Sequence, residues 1–351
     1  MYIKDVDMAL EDWDFKVRNK LPYEVKLSLT ETRVIDFNRA LGCSVYVSFS
    51  GGLDSTLVLH LVRKYLGDDV PAVFVDTGLE FPEIREFVKK CEKTYGNIIT
   101  IRPEISHKEI LNRYGYPFVS KETAAKIRKL RHGNLSDRYR NYLLNGDERG
   151  KFGRCPVKWQ YLADKDFPVE VSEKCCYYLK EKPLLKYQKE TGYKPFVGIT
   201  QDESFIRTRK YEKTGCNVLT GKHIQSKPIG FWNKDDVLRY IVENNVDYCS
   251  IYGDIIQNTK GKYITTGEQR TGCMYCLFGV HLEEEPNRIQ RLADSHPAIY
   301  DYIMRGGQIG EDGVIRPYKG LGYRRLQEPL GINLEPFAQM SLFDRKKRGD
   351  V

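Results

Sequence analysis

The sequence predicts an α/β fold with a doubly wound parallel sheet. Short apolar runs alternate with stretches of helical periodicity, and the runs are Val45–Phe49, Ala72–Val75 and Ile98–Ile101. Such alternation is typical of parallel sheets that helices cover on both faces. Ligands of these folds bind beyond the carboxyl ends of the strands, so we expect the functional site at that edge of the sheet.

The other elements are taken in chain order. We expect a helical, peripheral N-terminal arm over residues 1–40, the sheet domain over 41–250, an irregular C-terminal region over 251–330 and a flexible tail over 331–351. A basic helical insertion over residues 121–176 interrupts the sheet, which resumes at Phe196–Ile199. Asn233, with Asp236 three positions later, predicts the start of a helix.

The composition is that of a folded protein, with 41% hydrophobic and 30% charged residues. The chain has no apolar run long enough to span a bilayer and no signal region at its start, so we expect a cytoplasmic protein without a membrane partner. Residues 121–158 hold eleven Lys or Arg against four Asp or Glu, within a net charge of +8. This density favours an anionic partner, nucleic acid or a sulfated nucleotide, and a solvated helical face is the alternative.

A phosphate-binding loop follows the first predicted strand, with Ser48 just before it and the residues Ser50–Gly51–Gly52–Leu53–Asp54–Ser55. The two glycines let the backbone N–H groups converge on an anion, and the next helix adds the positive end of its dipole. The hydroxyls of Ser50 and Ser55 donate further hydrogen bonds. Asp54 would repel phosphate unless it holds Mg²⁺, so the loop predicts metal-assisted handling of pyrophosphate, with ATP and Mg²⁺ as ligands.

Two more segments are predicted at the carboxyl ends of strands. Asp76–Thr77–Gly78 follows the second strand and is expected to bind the adenosine part, the alternative being an ordinary turn before Pro82. Arg207 and Arg209 follow the strand at Phe196–Ile199 and are candidates for the same pocket.

Four cysteines form two local pairs, Cys175–Cys176 and Cys273-Met-Tyr-Cys276. Four thiolates define one Cys₄ site, which suits zinc or a [4Fe–4S] cluster. Adjacent cysteines are awkward for tetrahedral zinc, so we favour the cluster; zinc and metal-free thiols remain the alternatives.

The other five cysteines divide into one reactive candidate and a packed set. Cys155 lies among basic residues that are expected to lower its pKa and make it a reactive, catalytic thiol. The others are expected to pack as small apolar side chains: Cys43, Cys91, Cys216 and Cys249.

In their order, these motifs resemble the phosphoadenosine phosphosulfate reductase family over roughly residues 43–300. The loop resembles the SGGxDS loop of adenine-nucleotide alpha-hydrolases, or PP-loop ATP pyrophosphatases, which split ATP between the α and β phosphates. The paired cysteines resemble the cluster ligands of adenylyl-sulfate reductases. The resemblance implies an adenine-nucleotide alpha-hydrolase fold.

Two features depart from the sulfonucleotide reductases, and a third departs from the wider superfamily. Their phosphate loop is degraded whereas this one is complete, and their nucleophilic cysteine lies near the carboxyl terminus whereas no cysteine follows Cys276 here. Leu53 stands where the superfamily often has Lys, so Arg207 and Arg209 become the candidate phosphate-binding cations. A complete loop with four cluster cysteines is more similar to the ATP pyrophosphatases of DNA phosphorothioation and tRNA thiolation.

The sequence therefore predicts an ATP-dependent adenylyl-transfer enzyme that inserts sulfur into nucleic acid, DNA rather than tRNA, with a sulfur donor such as a cysteine desulfurase. Ser50, Asp54 and Ser55 would carry the chemistry. The alternatives are an assimilatory adenylyl-sulfate or phosphoadenylyl-sulfate reductase and a non-catalytic, cluster-binding subunit. Gln339–Phe343 resembles the peptide with which bacterial proteins dock on the DNA sliding clamp, and DNA is favoured for that reason.

Overall fold

The structure is a computed structural model that describes residues 17–150, 152–200, 214–221 and 223–336. The chain forms two compact units. The first draws on Met1–Pro103 and Lys182–Gly272, and the second on Glu104–Glu181 and Cys273–Val351. None of the described helices combines the length and the apolar character that a membrane crossing requires.

The first unit contains the central sheet and the helices that cover it. Its elements are α1 (Tyr23–Ala40), β1 (Val45–Ser48), α2 (Leu53–Leu66), β2 (Ala72–Val75), α3 (Pro82–Tyr95), β3 (Ile98–Ile101), α8 (Lys182–Thr191), β4 (Lys194–Val197), β5 (Asn217–Val218), β6 (Gln225–Ser226), α9 (Lys234–Glu243), β7 (Ile255–Gln257) and β8 (Tyr263–Thr265). The first three strands and the helix after Asn233 lie where the sequence predicted them.

The sheet has six strands in the order β3-β2-β1-β4-β6-β5, and all neighbours are parallel except β5 and β6. The chain moves outward from β1 to β3 on one side and then returns to place β4 on the other side of β1. The strand order therefore reverses at β1, which is where doubly wound folds bind their ligands. The predicted α/β class is confirmed.

The N-terminal helix α1 is part of the core, so the expectation of a peripheral arm was wrong. Its buried residues recur every three or four positions and form one continuous stripe: Tyr23, Lys26, Thr30, Val34 and Phe37. The Phe37 ring packs edge-on against Phe196 of β4, with centroids 5.1 Å apart. The indole of Trp232 donates a hydrogen bond of 2.9 Å to the Thr30 hydroxyl.

A buried ion pair joins α1 to the start of α9. Lys26 Nζ lies 2.6 Å from Asp236 Oδ2, and the Lys26 side chain is 2% exposed. The same Asp236 carboxylate accepts from the Asn233 backbone N–H, while the Asn233 side chain accepts from Asp236 N–H, both at 2.9 Å. This is the capping box that the sequence predicted.

The second unit is mainly helical. Its elements are α4 (His107–Tyr114), α5 (Lys121–His132), α6 (Asp137–Asn145), a 3₁₀ turn (Val157–Ala163), α7 (Lys174–Cys176), a π turn (Tyr177–Glu181), α10 (Arg288–Ser295), α11 (Pro297–Met304), the hairpin of β9 (Gln308–Ile309) and β10 (Ile315–Arg316), and α12 (Tyr323–Leu330). The predicted helical character of the basic segment is confirmed by α5 and α6.

Candidate functional site

The phosphate-loop motif forms the connection between β1 and α2. The Ser50 backbone N–H donates to the Ser55 hydroxyl at 3.1 Å, and the two hydroxyl oxygens are 3.0 Å apart. Ser55 Oγ also donates to the Gly52 carbonyl at 2.9 Å. The motif therefore places both hydroxyls beside the N-terminus of α2, where the helix dipole favours an anion.

Two glycines are required by the close packing around this loop. Gly51 has φ +73°, and a Cβ there would lie 3.0 Å from Ile84 Cγ2 of α3. Gly198 follows β4, and a Cβ there would lie 2.7 Å from the Ser55 backbone nitrogen. Any larger residue at position 198 would collide with the first turn of α2, so the end of β4 fixes where that turn lies.

Two hydroxyl groups from the segment after α9 also contact the loop. The Leu53 backbone N–H donates to the Tyr252 hydroxyl at 3.3 Å, and Tyr252 and Thr271 share a hydrogen bond. A Cβ on Gly52 would lie 3.1 Å from each of these oxygens. Burial raises the pKa of Tyr252 to about 12, so its hydroxyl stays protonated at neutral pH. Sequence reasoning missed both residues.

Lys234 and Arg270 bring positive charge to the same place. Lys234 Nζ lies 5.7 Å from the centre of the Tyr252 ring. Burial lowers the pKa of Lys234, the Asp54 carboxylate opposes that change, and Arg270 adds to it. Lys234, Arg270 and Asp54 therefore interact at the loop. The two cations lie near the loop in which Leu53 stands where related loops often have a lysine. The cations predicted from sequence, Arg207 and Arg209, lie outside the described residues.

Asp76–Thr77–Gly78 lies at the carboxyl end of β2, next to β1, as predicted. The Asp76 carboxylate pairs with Arg102 at 3.1 Å and with Arg85 at 3.4 Å, and it accepts from the Gly78 N–H at 3.3 Å. Thr77 donates to Glu80 through its N–H at 3.0 Å and its hydroxyl at 2.7 Å. These contacts hold the loop in one conformation, with two arginines beside it.

The four paired cysteines all belong to the second unit. Cys175 is 6% exposed, and the Cys276 N–H donates to the Cys273 carbonyl at 3.2 Å. Burial, together with repulsion from Cys273 and Cys176, raises the pKa of Cys276 to about 12. Burial also raises the pKa of Cys175, and repulsion from the other three cysteines raises it in the same direction. The four thiols are therefore close enough to repel one another when ionised.

The sequence predicted either zinc or a [4Fe–4S] cluster at these four cysteines. Within the described ranges, no three His, Cys, Asp or Glu side chains are spaced to hold a single metal ion. A zinc site needs that spacing, because its four ligands converge on one atom. All four donors of the cysteine group are sulfur atoms, a set that suits the thiolate ligation of a [4Fe–4S] cluster.

Basic side chains surround the thiols. Lys180 lowers the pKa of both Cys175 and Cys176, and Lys121 lowers that of Cys176, in each case against the larger effect of burial. Arg288 acts in the same direction on Cys276. Lys180 was noticeable from its position beside the cysteine pair, whereas Lys121 and Arg288 are distant in sequence and gave no signal.

A family model of the phosphoadenosine phosphosulfate reductase domain matches residues 44–149 and 152–276. The chain belongs to this family. Membership assigns it to the nucleotide-binding enzymes, in agreement with the loop geometry at β1.

Two relatives of this family member come from Methanocaldococcus jannaschii, and both are uncharacterized proteins. MJ0066 is 27% identical over 235 residues, and MJ0973 is 25% identical over 284 residues. The matches cover 66% and 78% of this chain but 36% and 51% of the relatives, so the chain spans about half of their length or less.

Two enzymes are among the solved structures to which this chain has some similarity. A phosphoadenylyl-sulfate reductase from Candida auris, in a phosphate complex, is 16% identical with a TM-score of 0.35 and covers 73% of this chain and 98% of its own. An FMN adenylyltransferase from Candida glabrata is 10% identical with a TM-score of 0.37 and covers 68% and 64%. Neither likeness is close enough to bear on activity.

The remaining cysteines of this phosphoadenosine phosphosulfate reductase family member correct two expectations. Cys155 is fully buried, and burial raises its pKa against the opposing effect of Lys126, so the expected lowering of its pKa was wrong. Cys43 is exposed in the turn between α1 and β1, with φ 64°, and does not pack as an apolar side chain. The packing predicted for the rest is confirmed: Cys91, Cys216 and Cys249 are buried.

Proposed function

We propose that this protein is an ATP pyrophosphatase that adenylylates an acceptor during the insertion of sulfur into nucleic acid, DNA being the favoured acceptor. The observation that carries the proposal is the complete loop between Ser50 and Ser55, which joins two hydroxyls, a helix N-terminus and the Asp54 carboxylate at the point where the strand order reverses. Hydroxyls and a helix N-terminus that converge in this way suit the binding of a leaving pyrophosphate.

The residues of the loop would divide the work as follows. An acceptor oxygen attacks the α phosphate of ATP, the bond from the α phosphorus to the bridging oxygen breaks, and pyrophosphate leaves. The Ser50 and Ser55 hydroxyls and the N-terminus of α2 would stabilise the leaving pyrophosphate, and Asp54 would hold Mg²⁺. Lys234 and Arg270 would neutralise further phosphate charge. Positioning and charge neutralisation supply most of the catalysis in such reactions.

Cys175, Cys176, Cys273 and Cys276 would hold a [4Fe–4S] cluster, which would supply the chemistry of sulfide delivery. Lys180 and Lys121 would offset the negative charge of the thiolates. This proposal is supported by an all-sulfur donor set whose members repel one another in the absence of a cation.

The nature of the acceptor and of the partners is proposed from the sequence. The basic segment favours a nucleic acid, and Gln339–Phe343, which lies outside the described residues, favours DNA through a sliding clamp. A cysteine desulfurase would provide the sulfur. The family match also supports a sulfonucleotide reductase as the second candidate.

The test is to incubate reduced, cluster-loaded protein with ATP labelled at the α phosphate, with and without DNA or tRNA. AMP and pyrophosphate are the expected products. Asp54→Asn should lower turnover by roughly 100-fold, because the charge-stabilising metal would be lost. Release of ADP would refute the proposal, sulfite formation from adenylyl sulfate would establish the reductase, and no turnover of any nucleotide would favour a non-catalytic subunit.

A further inference from the structure

Two exposed tyrosines lie side by side on α6 of the second unit. Tyr139 and Tyr142 are each 37% exposed, and their rings are nearly parallel, with an interplanar angle of 17° and centroids 6.3 Å apart. Their spacing of three positions places them on one face of the helix. Aromatic side chains at a protein surface are the groups on which nucleic-acid bases stack.

Contacts from outside α6 hold both rings. Lys129 Nζ of α5 lies 3.1 Å from the Tyr139 hydroxyl and 5.6 Å from the centre of its ring. Gly153 packs against the other ring so closely that a Cβ there would lie 2.0 Å from Tyr142 Cζ. Because these contacts already position the rings, the two side chains lose less conformational entropy when a ligand stacks on them.

The segment that carries the rings has a positive net charge, since residues 121–158 hold eleven Lys or Arg against four Asp or Glu. Ion pairs hold three of its bases: Lys121 with Glu181, Lys126 with Glu122 and Arg128 with Glu173. Arg138, Arg154 and Lys158 are exposed, and no carboxylate in the described part of the chain forms an ion pair with them. Arg138 lies one helical turn before Tyr142, so its guanidinium belongs to the same face.

We infer that Lys129, Arg138, Tyr139 and Tyr142, here named the tyrosine patch, bind single-stranded nucleic acid. Unpaired bases stack on the two rings, while Lys129 and Arg138 neutralise the backbone phosphates. In a duplex the base faces are stacked on one another and cannot stack on the tyrosines. An acidic peptide could pair with the cations but has no aromatic bases to stack on the rings, so neither fits the patch as well. This inference rests on the proposed function, in which nucleic acid is the acceptor.

The test measures fluorescence anisotropy of short labelled oligonucleotides with the full chain: single-stranded DNA, single-stranded RNA of the same sequence, and each as a duplex. Tyr139→Ala with Tyr142→Ala should weaken single-strand binding by roughly tenfold or more, the usual effect of removing stacked rings. Tyr139→Phe with Tyr142→Phe should retain most of the affinity, because phenyl rings also stack. Arg138→Ala should weaken binding and lower its dependence on salt.

Tyr302→Ala is the matched control, since Tyr302 is also 37% exposed in the second unit and lies on another helix. It should bind like the unchanged protein, and thermal melting of every variant would exclude loss of the fold. Equal affinity of the double alanine variant and the unchanged protein, or a preference for duplexes, would overturn the inference. The DNA and RNA arms show which nucleic acid is bound.

Cleavage of ATP without added nucleic acid is measured in parallel. Cleavage to AMP without oligonucleotide binding would refute the tyrosine patch alone. Oligonucleotide binding that the patch variants weaken, without cleavage to AMP, would refute the proposed function alone.

Discussion

The backbone N–H of Leu53 donates a hydrogen bond to the hydroxyl of Tyr252, a residue 199 positions further along the chain. Leu53 is the first residue of α2, so the hydroxyl stands at the N-terminus of the helix that follows the phosphate loop. The segment after α9 is therefore part of the candidate nucleotide site.

Tyr252→Phe removes this acceptor and the hydrogen bond with Thr271. We expect kcat/KM for ATP to fall about threefold to tenfold, the usual effect of one hydrogen bond. Steady-state release of pyrophosphate measures it. Tyr187→Phe is the control, because Tyr187 packs against Tyr46 elsewhere in the first unit. An equal effect of the two changes would contradict a specific role for Tyr252.

Gly198→Ala should destabilise the first unit and abolish ATP binding, since the added methyl would lie 2.7 Å from the backbone of α2. Thermal melting and nucleotide titration measure the two effects. Gly192→Ala is the control for the collision. Gly192 has φ +78° but nothing within 4 Å of its Cβ position, so alanine there would strain the backbone without a steric clash. A wild-type melting temperature for Gly198→Ala would show that β4 does not constrain the loop.

Lys234→Met should weaken ATP binding about tenfold, whereas Lys234→Arg should retain most of it, because a buried cation at the loop would be lost in the first variant only. Since burial lowers the pKa of Lys234, the charged form disappears at a lower pH than for an ordinary lysine. ATP affinity should therefore decline as the pH rises through that lowered pKa. Calorimetry across alkaline pH tests this, and a decline identical in Lys234→Met would exclude Lys234 as its cause.

Cys176→Ala or Cys273→Ala should remove iron from anaerobically purified protein with little loss of ATP binding, because the loop and the cysteines belong to different units. Iron analysis and visible absorption measure the loss. Cys155→Ala is the matched control, a buried cysteine of the same unit outside the group, and should keep its iron. Stoichiometric zinc in the unchanged protein would contradict the cluster.

The features predicted correctly from sequence are those that one short segment determines. The loop from Ser50 to Ser55 and the capping box of Asn233 and Asp236 have their donors and acceptors within a few residues of each other. Tyr252 and Lys234 were missed because their neighbours at the loop are about 200 positions away in sequence. The pKa of Cys155 was predicted wrongly for the same reason: nearby bases are visible in a sequence, whereas the burial that outweighs them is decided by packing.

The family match begins later in the chain than the packed first unit does. A chain trimmed to the family match would begin at residue 44 and lose α1. Asp236 would then lose the Lys26 ammonium, and Phe196 would be left open to water. A shortened version of the protein should therefore begin before Tyr23, so that it keeps α1.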